Sequence, residues 1–304
     1  MMKIKKTAAC LAVAMGMLSL TGCSQGQSAQ AKNEIAFSLD NISQVTISYD
    51  EENVTFYESE NDELIIKEYM TKNKNSYHAR VDQSGDSIKI SEGGKPLFKD
   101  GFYRYIEVYL PASYHEKLTV TTTGGEIDIS RLKLVLNALR IDSTAGTVRL
   151  NTVEAQSVWL STTSGVLDAD NLNAETIGIT TTSGNFFCEK LEGIVTYSTT
   201  SGSADIKTAI GSGAYTANNS GELKVIYTEV TGDLLFYNKN ESIHVALPAD
   251  LEFEFEAKTK NGSVSTTFQE KLSTDGRTTS GTVGEHPTVT VRAETNNGNI
   301  QVEQ

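Results

Sequence analysis

The sequence predicts an all-β protein whose larger part is a parallel β-helix, a solenoid of stacked coils of about nineteen residues, preceded by a less regular β-rich segment. Three observations carry this expectation. A glycine returns at nearly constant spacing, at Gly125, Gly146, Gly165, Gly184, Gly202, Gly221 and Gly262, with Asn240-Glu241-Ser242 filling the one gap. Apolar and polar residues alternate on both sides of each glycine, which is the period of a strand with one buried face. A third apolar position, seven residues beyond the glycine, recurs as Leu132, Val153, Leu172, Leu191 and Ala209.

Within each unit the strand before the corner is read from Leu118-Thr-Val120-Thr-Thr122-Thr, Val158-Trp-Leu160-Ser-Thr162-Thr, Ile177-Gly-Ile179-Thr-Thr181-Thr and Val195-Thr-Tyr197-Ser-Thr199-Thr. A second strand leaves the glycine, with inward pairs such as Ile127 and Ile129, Val148 and Leu150, Phe186 and Cys188, or Leu223 and Val225. The corner itself is Ser-Gly or Asn-Gly. Glycine there is expected to supply a positive φ, and the small residue before it to hydrogen-bond its own backbone. Strands this short cannot bury an apolar face alone. Stacking the coils at roughly 4.8 Å pairs the strands in parallel and fills the interior with ladders of like residues. An antiparallel sandwich or barrel also has short strands with regular turn signals, but it has no need for the same register in every unit.

The chain opens with Lys3, Lys5 and Lys6, an apolar run from Thr7 to Leu20, and then Leu20-Thr21-Gly22-Cys23. A short apolar run ending in small residues is the grammar of an export signal, not of a membrane span, and the last four residues resemble the lipobox of bacterial lipoproteins. Residues 1–22 are therefore expected to be a cleaved signal peptide and Cys23 a lipidated new N-terminus. Residues 23–33, rich in Ser, Gln, Gly, Ala and Lys, read as a flexible tether. The expected location is extracytoplasmic, anchored by lipid at the surface of a bacterial membrane. A net charge of −13 argues against nucleic acid as a partner and against adsorption of the folded surface on an anionic bilayer. With Cys10 removed and Cys23 lipidated, Cys188 has no disulfide partner, and its place in the alternation makes it a small inward residue.

Between Glu34 and Leu110 the segments Ile35-Ala-Phe37-Ser-Leu39, Val45-Thr-Ile47, Val54-Thr-Phe56, Leu64-Ile-Ile66, Ile88-Lys-Ile90 and Ile106-Glu-Val108 predict strands separated by Asn/Asp/Gly turns, without the glycine period. Residues 34–110 are read as an irregular opening part and 111–304 as the repeat solenoid. An internal echo joins them: Val108-Tyr-Leu110-Pro111-Ala112 precedes Gly125 at the same separation as Val245-Ala-Leu247-Pro248-Ala249 precedes Gly262. Proline suits a corner better than a central strand, so 34–304 is expected to be one continuous domain. The polar stretch from Gln269 to His286 is expected to form a loop. Val289-Thr-Val291-Arg-Ala293 and Gly298-Asn-Ile300-Gln-Val302 should then make a last coil.

With its lipobox, β-rich opening, Val-x-Leu-Pro-Ala step and serial Thr-Thr-Ser-Gly-x-apolar-x-apolar units, the chain from about Ile35 onward resembles the bacterial putative-adhesin family, the domain of unknown function 4097. The resemblance implies a β-helical solenoid with an adhesin-like binding or scaffolding role. It also implies, for some members, an association with envelope-stress systems. It transfers no catalytic residue.

The residues themselves say little of catalysis. His78, His115, His244 and His286 lack metal-site spacing, and neither a Gly-x-Ser-x-Gly elbow nor a phosphate loop occurs, so no catalytic residue, metal or cofactor is expected. The enzymatic alternative, a polysaccharide-active β-helix, needs clustered outward carboxylates. The position three after the glycine instead reads Asp128, Arg149, Asp168, Phe187, Asp205, Lys224 and His244, with Asp168 and Asp170 as solvated acids. The outward positions before the corner are more regular: Thr121 and Thr123, Ser161 and Thr163, Thr180 and Thr182, Ser198 and Thr200 form two columns of hydroxyls, interrupted at Asp142 and Ala217. Trp159 and Tyr215 are read as outward residues two positions further back. Hydroxyls hydrogen-bond sugars and aromatic rings stack on them, which makes this face a candidate glycan surface, although threonine is also favoured on any pleated, half-exposed strand. The expected partners are the membrane, through the N-terminal lipid, and either a glycan or an envelope protein. The latter would suit a regulatory component of an envelope-stress response.

Overall fold

Wherever the sequence alternates apolar and polar residues, the backbone is extended and the apolar side chains point to one interior. The computed structural model describes residues 30–98 and 101–304; the export signal and Cys23 lie outside the described residues. Residues Ala31–Gln304 form one compact unit. Its strands are, in the opening part, β1 (Asn33–Ser38), β2 (Gln44–Ser48), β3 (Asn53–Glu58), β4 (Glu63–Met70), β5 (Arg80–Ser84), β6 (Ser87–Ser91), β7 (Arg104–Leu110), β8 (Lys117–Thr122) and β9 (Ile127–Ile129). The central repeats contain β10 (Leu134–Ser143), β11 (Val148–Thr162), β12 (Val166–Thr181), β13 (Asn185–Thr199), β14 (Ala204–Ala217), β15 (Leu223–Asn238) and β16 (Ile243–Ala246). The chain closes with β17 (Phe253–Thr259), β18 (Val264–Thr266), β19 (Ser273–Asp275), β20 (Thr278–Val283), β21 (Val289–Thr295) and β22 (Ile300–Glu303).

From β8 to β16 successive repeats pair in parallel, which rules out the antiparallel sandwich or barrel and gives a β-solenoid-like stack. Register turns the alternation into ladders. Leu139, Val158, Ile177 and Val195 stand in one buried column, and Val148, Leu167, Phe186, Ala204 and Leu223 in another. The third column is Leu134, Val153, Leu172, Leu191 and Ala209; Leu132 is buried but does not hold the place its spacing suggested, because Leu134 pairs with Val153. Each fully buried aliphatic side chain contributes about 1.5–3 kcal/mol. Volume is balanced within the coil. Where Tyr197, Tyr215 and Phe236 follow one another through the centre at 6.4 and 5.1 Å, the Tyr215 coil carries the small residues Ala204, Ala209 and Ala217 at three of its other buried positions, beside Ile206.

The corner works differently from its sequence expectation. Of the recurring glycines only Gly221 has a positive φ, 108°. The others are glycine because the coils touch there through their backbones. A Cβ on Gly146, Gly165, Gly184 or Gly202 would lie under 3.0 Å from the carbonyl oxygen of the glycine one coil below. The hydrogen bond at the corner also comes from another residue. The buried threonine three positions before the glycine accepts the glycine N–H, as in Thr122 to Gly125 (3.0 Å), Thr162 to Gly165 (3.0 Å), Thr199 to Gly202 (2.7 Å) and Thr295 to Gly298 (3.1 Å). A buried amide donor must be satisfied, and at these four corners the threonine does so.

Both ends depart from chain order. β8 and β9 stack on β2 and β3, and β6 and β7 stack on the far side of those. The chain therefore skips a layer after β7. The mirror of this occurs after β16: β21 and β22 pair with β15 and β16, and β17 and β18 pair with the far side of β21 and β22. The segment 289–302 is thus an inserted coil, not the last one in space. Each skip is made by one of the two Leu-Pro-Ala phrases, and in both the proline carbonyl accepts an N–H three residues on, from Tyr114 (3.0 Å) and Leu251 (3.1 Å). The internal echo is the signature of a crossover. The stretch from Gln269 to His286, expected as a loop, instead contains the β19–β20 hairpin, turning at Gly276 (φ 62°) and pairing antiparallel with β17. Asp-Gly-Arg is a hairpin signal, which the polar composition concealed. At the other end β4 pairs antiparallel with β7, and β1 with β4. Antiparallel strands so cover both terminal layers and limit edge pairing.

Beneath the first cap lies a buried ionic cluster. The Arg104 guanidinium meets Glu52 at 2.9 Å, Glu92 at 2.8 Å and the Tyr77 carbonyl at 2.6 Å, while Lys95 reaches Glu92 at 2.8 Å. Burial works against ionisation of Glu52, yet its hydrogen bond with Glu92 and the Arg104 charge hold it below the usual carboxylate range. Burial and the Glu52 bond push Glu92 above that range.

Candidate functional site

The hydroxyl face is built by register. Ser48, Thr121, Asp142, Ser161, Thr180, Ser198 and Thr216 pair one to the next along one outward column. Thr123, Thr163, Thr182 and Thr200 occupy the corners beside it, all exposed, while the residue between each pair, such as Thr122 or Thr162, is buried. The corners are tied to one another through backbone, with the carbonyls of Thr163, Thr182 and Thr200 accepting N–H groups of Ser183, Ser201 and Asn219 at 2.7–2.8 Å. Thr144 is exposed at the equivalent corner and continues this second column past the interruption at Asp142. At the N-terminal end of the columns Thr121 donates to Ser48 at 2.8 Å and Thr123 to Asp50 at 2.7 Å. There the face dips into an open cavity of about 170 Å³ lined by Ser48, Asp50, Thr121, Thr123, Asp142 and Thr144.

Trp159 is outward, as its spacing suggested, and 41% exposed. Its coil neighbours explain its attitude. It pairs with Arg140 on one side and Gly178 on the other, and a Cβ on Gly178 would lie under 3.0 Å from the indole ring. The ring therefore rests on bare backbone of the next coil. Arg140 stands 5.9 Å from the ring centre, its guanidinium fixed by two hydrogen bonds to Asp142 at 2.7 and 2.9 Å. The Asp142 that interrupts the hydroxyl column thus orients the arginine beside the indole. Neither Arg140 nor Gly178 signals this role in sequence, because each needs the coil register to meet Trp159.

Tyr215 does not belong to this face. It is fully buried, its hydroxyl 2.9 Å from that of Tyr227, and burial, with Tyr227 beside it, pushes its phenol well above the ordinary range. The physical reason is one residue. Ala217 pairs with buried Thr199, and the corner from Ala217 to Gly221 holds one residue more than that from Thr199 to Gly202. A slip of one exchanges the faces of a strand. Thr216, not Ala217, continues the hydroxyl column, and Ala214 occupies the column of Trp159 and Gly178 on that coil.

Cys188 is buried and free, and burial pushes its thiol up to about 12. Asp168 and Asp170 are both exposed on the outer side of β12, where Asp168 pairs between Arg149 and Phe187. Asp205 is paired with Lys207 at 2.6 Å. A larger open groove of about 720 Å³ lies at the first crossover, lined by Asp40, Asn41, Asp62, Tyr114, His115 and Glu116 among others. His115 there is held by Nδ1, 2.8 Å from the Val135 carbonyl.

The family model described as Toastrack DUF4097 matches residues 42–303. None of the curated proteins compared with the chain matches it. Solved structures similar to it include a putative adhesin from Bacteroides fragilis NCTC 9343, at 11% identity and TM-score 0.40, covering 89% of this chain and 96% of that one. A putative adhesin from Parabacteroides distasonis ATCC 8503 is similar at 12% identity and TM-score 0.39, covering 89% and 96%. A putative cell adhesion protein from Clostridium sporogenes ATCC 15579 is similar at 12% identity and TM-score 0.34, covering 90% and 99%.

Proposed function

The chain belongs to the Toastrack DUF4097 family, and from that premise we propose that it is a lipid-anchored, extracytoplasmic bacterial protein that binds a glycan, without catalysis, on its hydroxyl face. The observation that carries this reading is Trp159. An indole laid on the backbone of Gly178, beside ordered hydroxyls of Ser161, Thr163, Thr180 and Thr182, offers an apolar platform with hydrogen-bonding groups at its rim. Coils of about nineteen residues repeat those hydroxyls at the strand spacing of roughly 4.8 Å. A flat, repetitive face suits an extended polymer better than a single sugar. Each contact is weak, and affinity grows with the number engaged. Anchoring at Cys23 would hold the solenoid on the outer side of the membrane, where such polymers are met.

The test is binding of the chain from Ser24 onward to an array of bacterial and host glycans, with extracellular-matrix proteins beside it. Trp159→Ala, and Thr163→Lys together with Thr182→Lys, should each abolish saturable binding to the retained glycan. Binding that survives both substitutions would move the site elsewhere. Binding to none of the glycans would favour an envelope-protein partner.

A further inference from the structure

We propose that the edge of the N-terminal cap carrying Leu97, Phe98 and Tyr103 docks into the bilayer that holds the lipid anchor; this rests on the reading of Cys23 as lipidated. These three residues are the most exposed large apolar side chains on the described surface, at 92%, 77% and 74%. Soluble proteins seldom gather such side chains on one edge without a partner.

The stretch that bears them is pinned at both roots. On one side Gly94 N–H donates to the Ser76 carbonyl at 2.7 Å, and Gly93 sits so close to the 77–78 backbone that a Cβ would not fit. On the other, Thr71 N–H donates to the Tyr103 carbonyl at 3.1 Å, and the Thr71 hydroxyl donates to the Gly101 carbonyl at 2.8 Å while accepting from Tyr103 N–H at 3.1 Å. Phe102, next to Tyr103, packs edge-on against Tyr77. The described residues on either side of the stretch are thus tied to the body, while Leu97, Phe98 and Tyr103 stand in solvent.

Position supplies the occupant. Thr71 directly follows β4, and the last turns of β4 are where the chain enters the body: Lys32 N–H donates to the Glu68 carbonyl at 2.9 Å, and Asn33 pairs with Glu68. Nine residues separate Cys23 from Lys32, which at the extended limit of roughly 3.3–3.6 Å per residue is a leash of about 30 Å. The lipid can thus stand no further than about 30 Å from Lys32, which lies beside the end of β4, and the residue after β4, Thr71, is bonded to Tyr103 of the apolar edge. Net charge would keep the free chain off an anionic bilayer. A leash this short raises the local concentration to the millimolar range or above, where partition of a few apolar side chains becomes occupancy. Lys72 and Lys74 lie in the same turn as Thr71, the sign that suits phosphate head groups. Docking at this edge would fix the solenoid relative to the membrane instead of leaving it swinging on its tether.

The experiment couples the chain from Cys23 onward, through the Cys23 thiol, to maleimide-bearing lipid in phosphatidylcholine vesicles with a quarter phosphatidylglycerol. Buried Cys188 is spared. In a Trp159→Phe background, Leu97→Trp serves as reporter at the edge and Asp170→Trp as reporter on the exposed side of β12. Brominated phospholipid should quench emission from L97W at least twofold and leave D170W unchanged, and the uncoupled chain should not be quenched. Equal quenching at both positions, or none at L97W, would overturn the proposal. So would a blue shift at L97W without bromine quenching but with a doubled particle mass, which would mark a second copy as occupant. Lipidation is tested apart, by fatty-acid incorporation into the full chain and its loss in Cys23→Ser. Lipidation without L97W quenching overturns docking alone, and quenching without lipidation overturns the natural anchor.

Discussion

Thr199 and Thr200 are adjacent, chemically identical and indistinguishable by the motif they share, yet replacing each by valine should have unequal consequences. Thr199 is 1% exposed, and its Oγ1 accepts the Gly202 N–H at 2.7 Å and the Thr181 hydroxyl at 2.7 Å. Valine keeps the shape and removes the acceptor, leaving two buried donors. An unsatisfied buried donor costs about 1–3 kcal/mol, and since the Thr181 hydroxyl can rotate, the sum for Thr199→Val is about 2–4 kcal/mol. Thr200 is exposed, so Thr200→Val should stay within about 0.5 kcal/mol of wild type. For a chain of this size each kcal/mol moves the midpoint by about 2–4 °C, so T199V should melt about 4–16 °C lower and T200V within about 2 °C of wild type. Urea denaturation followed by circular dichroism measures the difference. Because a solenoid need not unfold all at once, hydrogen exchange at the Gly202 amide provides the local readout and should accelerate only in T199V. If the two variants were equally stable within 0.5 kcal/mol, the buried threonine would not be what closes the corner.

Three further outcomes follow from the same packing. Gly184→Ala puts a methyl against the Gly165 carbonyl and should destabilise by at least about 1–3 kcal/mol, whereas Gly124→Ala, with nothing within 4 Å, should be near neutral; thermal melts of the pair decide it. Arg104→Met leaves Glu52 and Glu92 buried with only Lys95 to offset them and should cost about 3–5 kcal/mol, read from the urea midpoint. Cys188, its thiol pushed up to about 12 by burial, should not react with a disulfide reagent at pH 8 in the native protein and should react fully in denaturant.

What the sequence determined by itself was the unit: a strand, a corner, a second strand, repeated, with Leu160, Ile179 and Tyr197 inward and Trp159 outward. These are local facts. Alternation at a period of two assigns a side to every residue of a strand, and a glycine at constant spacing reports where the backbone must be bare. The hydroxyl columns of Thr121, Ser161, Thr180 and Ser198 were legible for the same reason. The tertiary structure alone decided which coils are neighbours and where the parity of a strand changes. Tyr215 crossed from surface to core because one extra residue sits between Ala217 and Gly221, and a glycine count cannot say whether an added residue bulges in the corner or shifts the strand. The order of the end coils, with β21 and β22 inserted beneath β17 and β18, was equally hidden, since pairing between distant segments depends on which free edges are available when they meet. Local alternation fixes which way a side chain faces within its strand; only non-local hydrogen bonding fixes what that strand lies against.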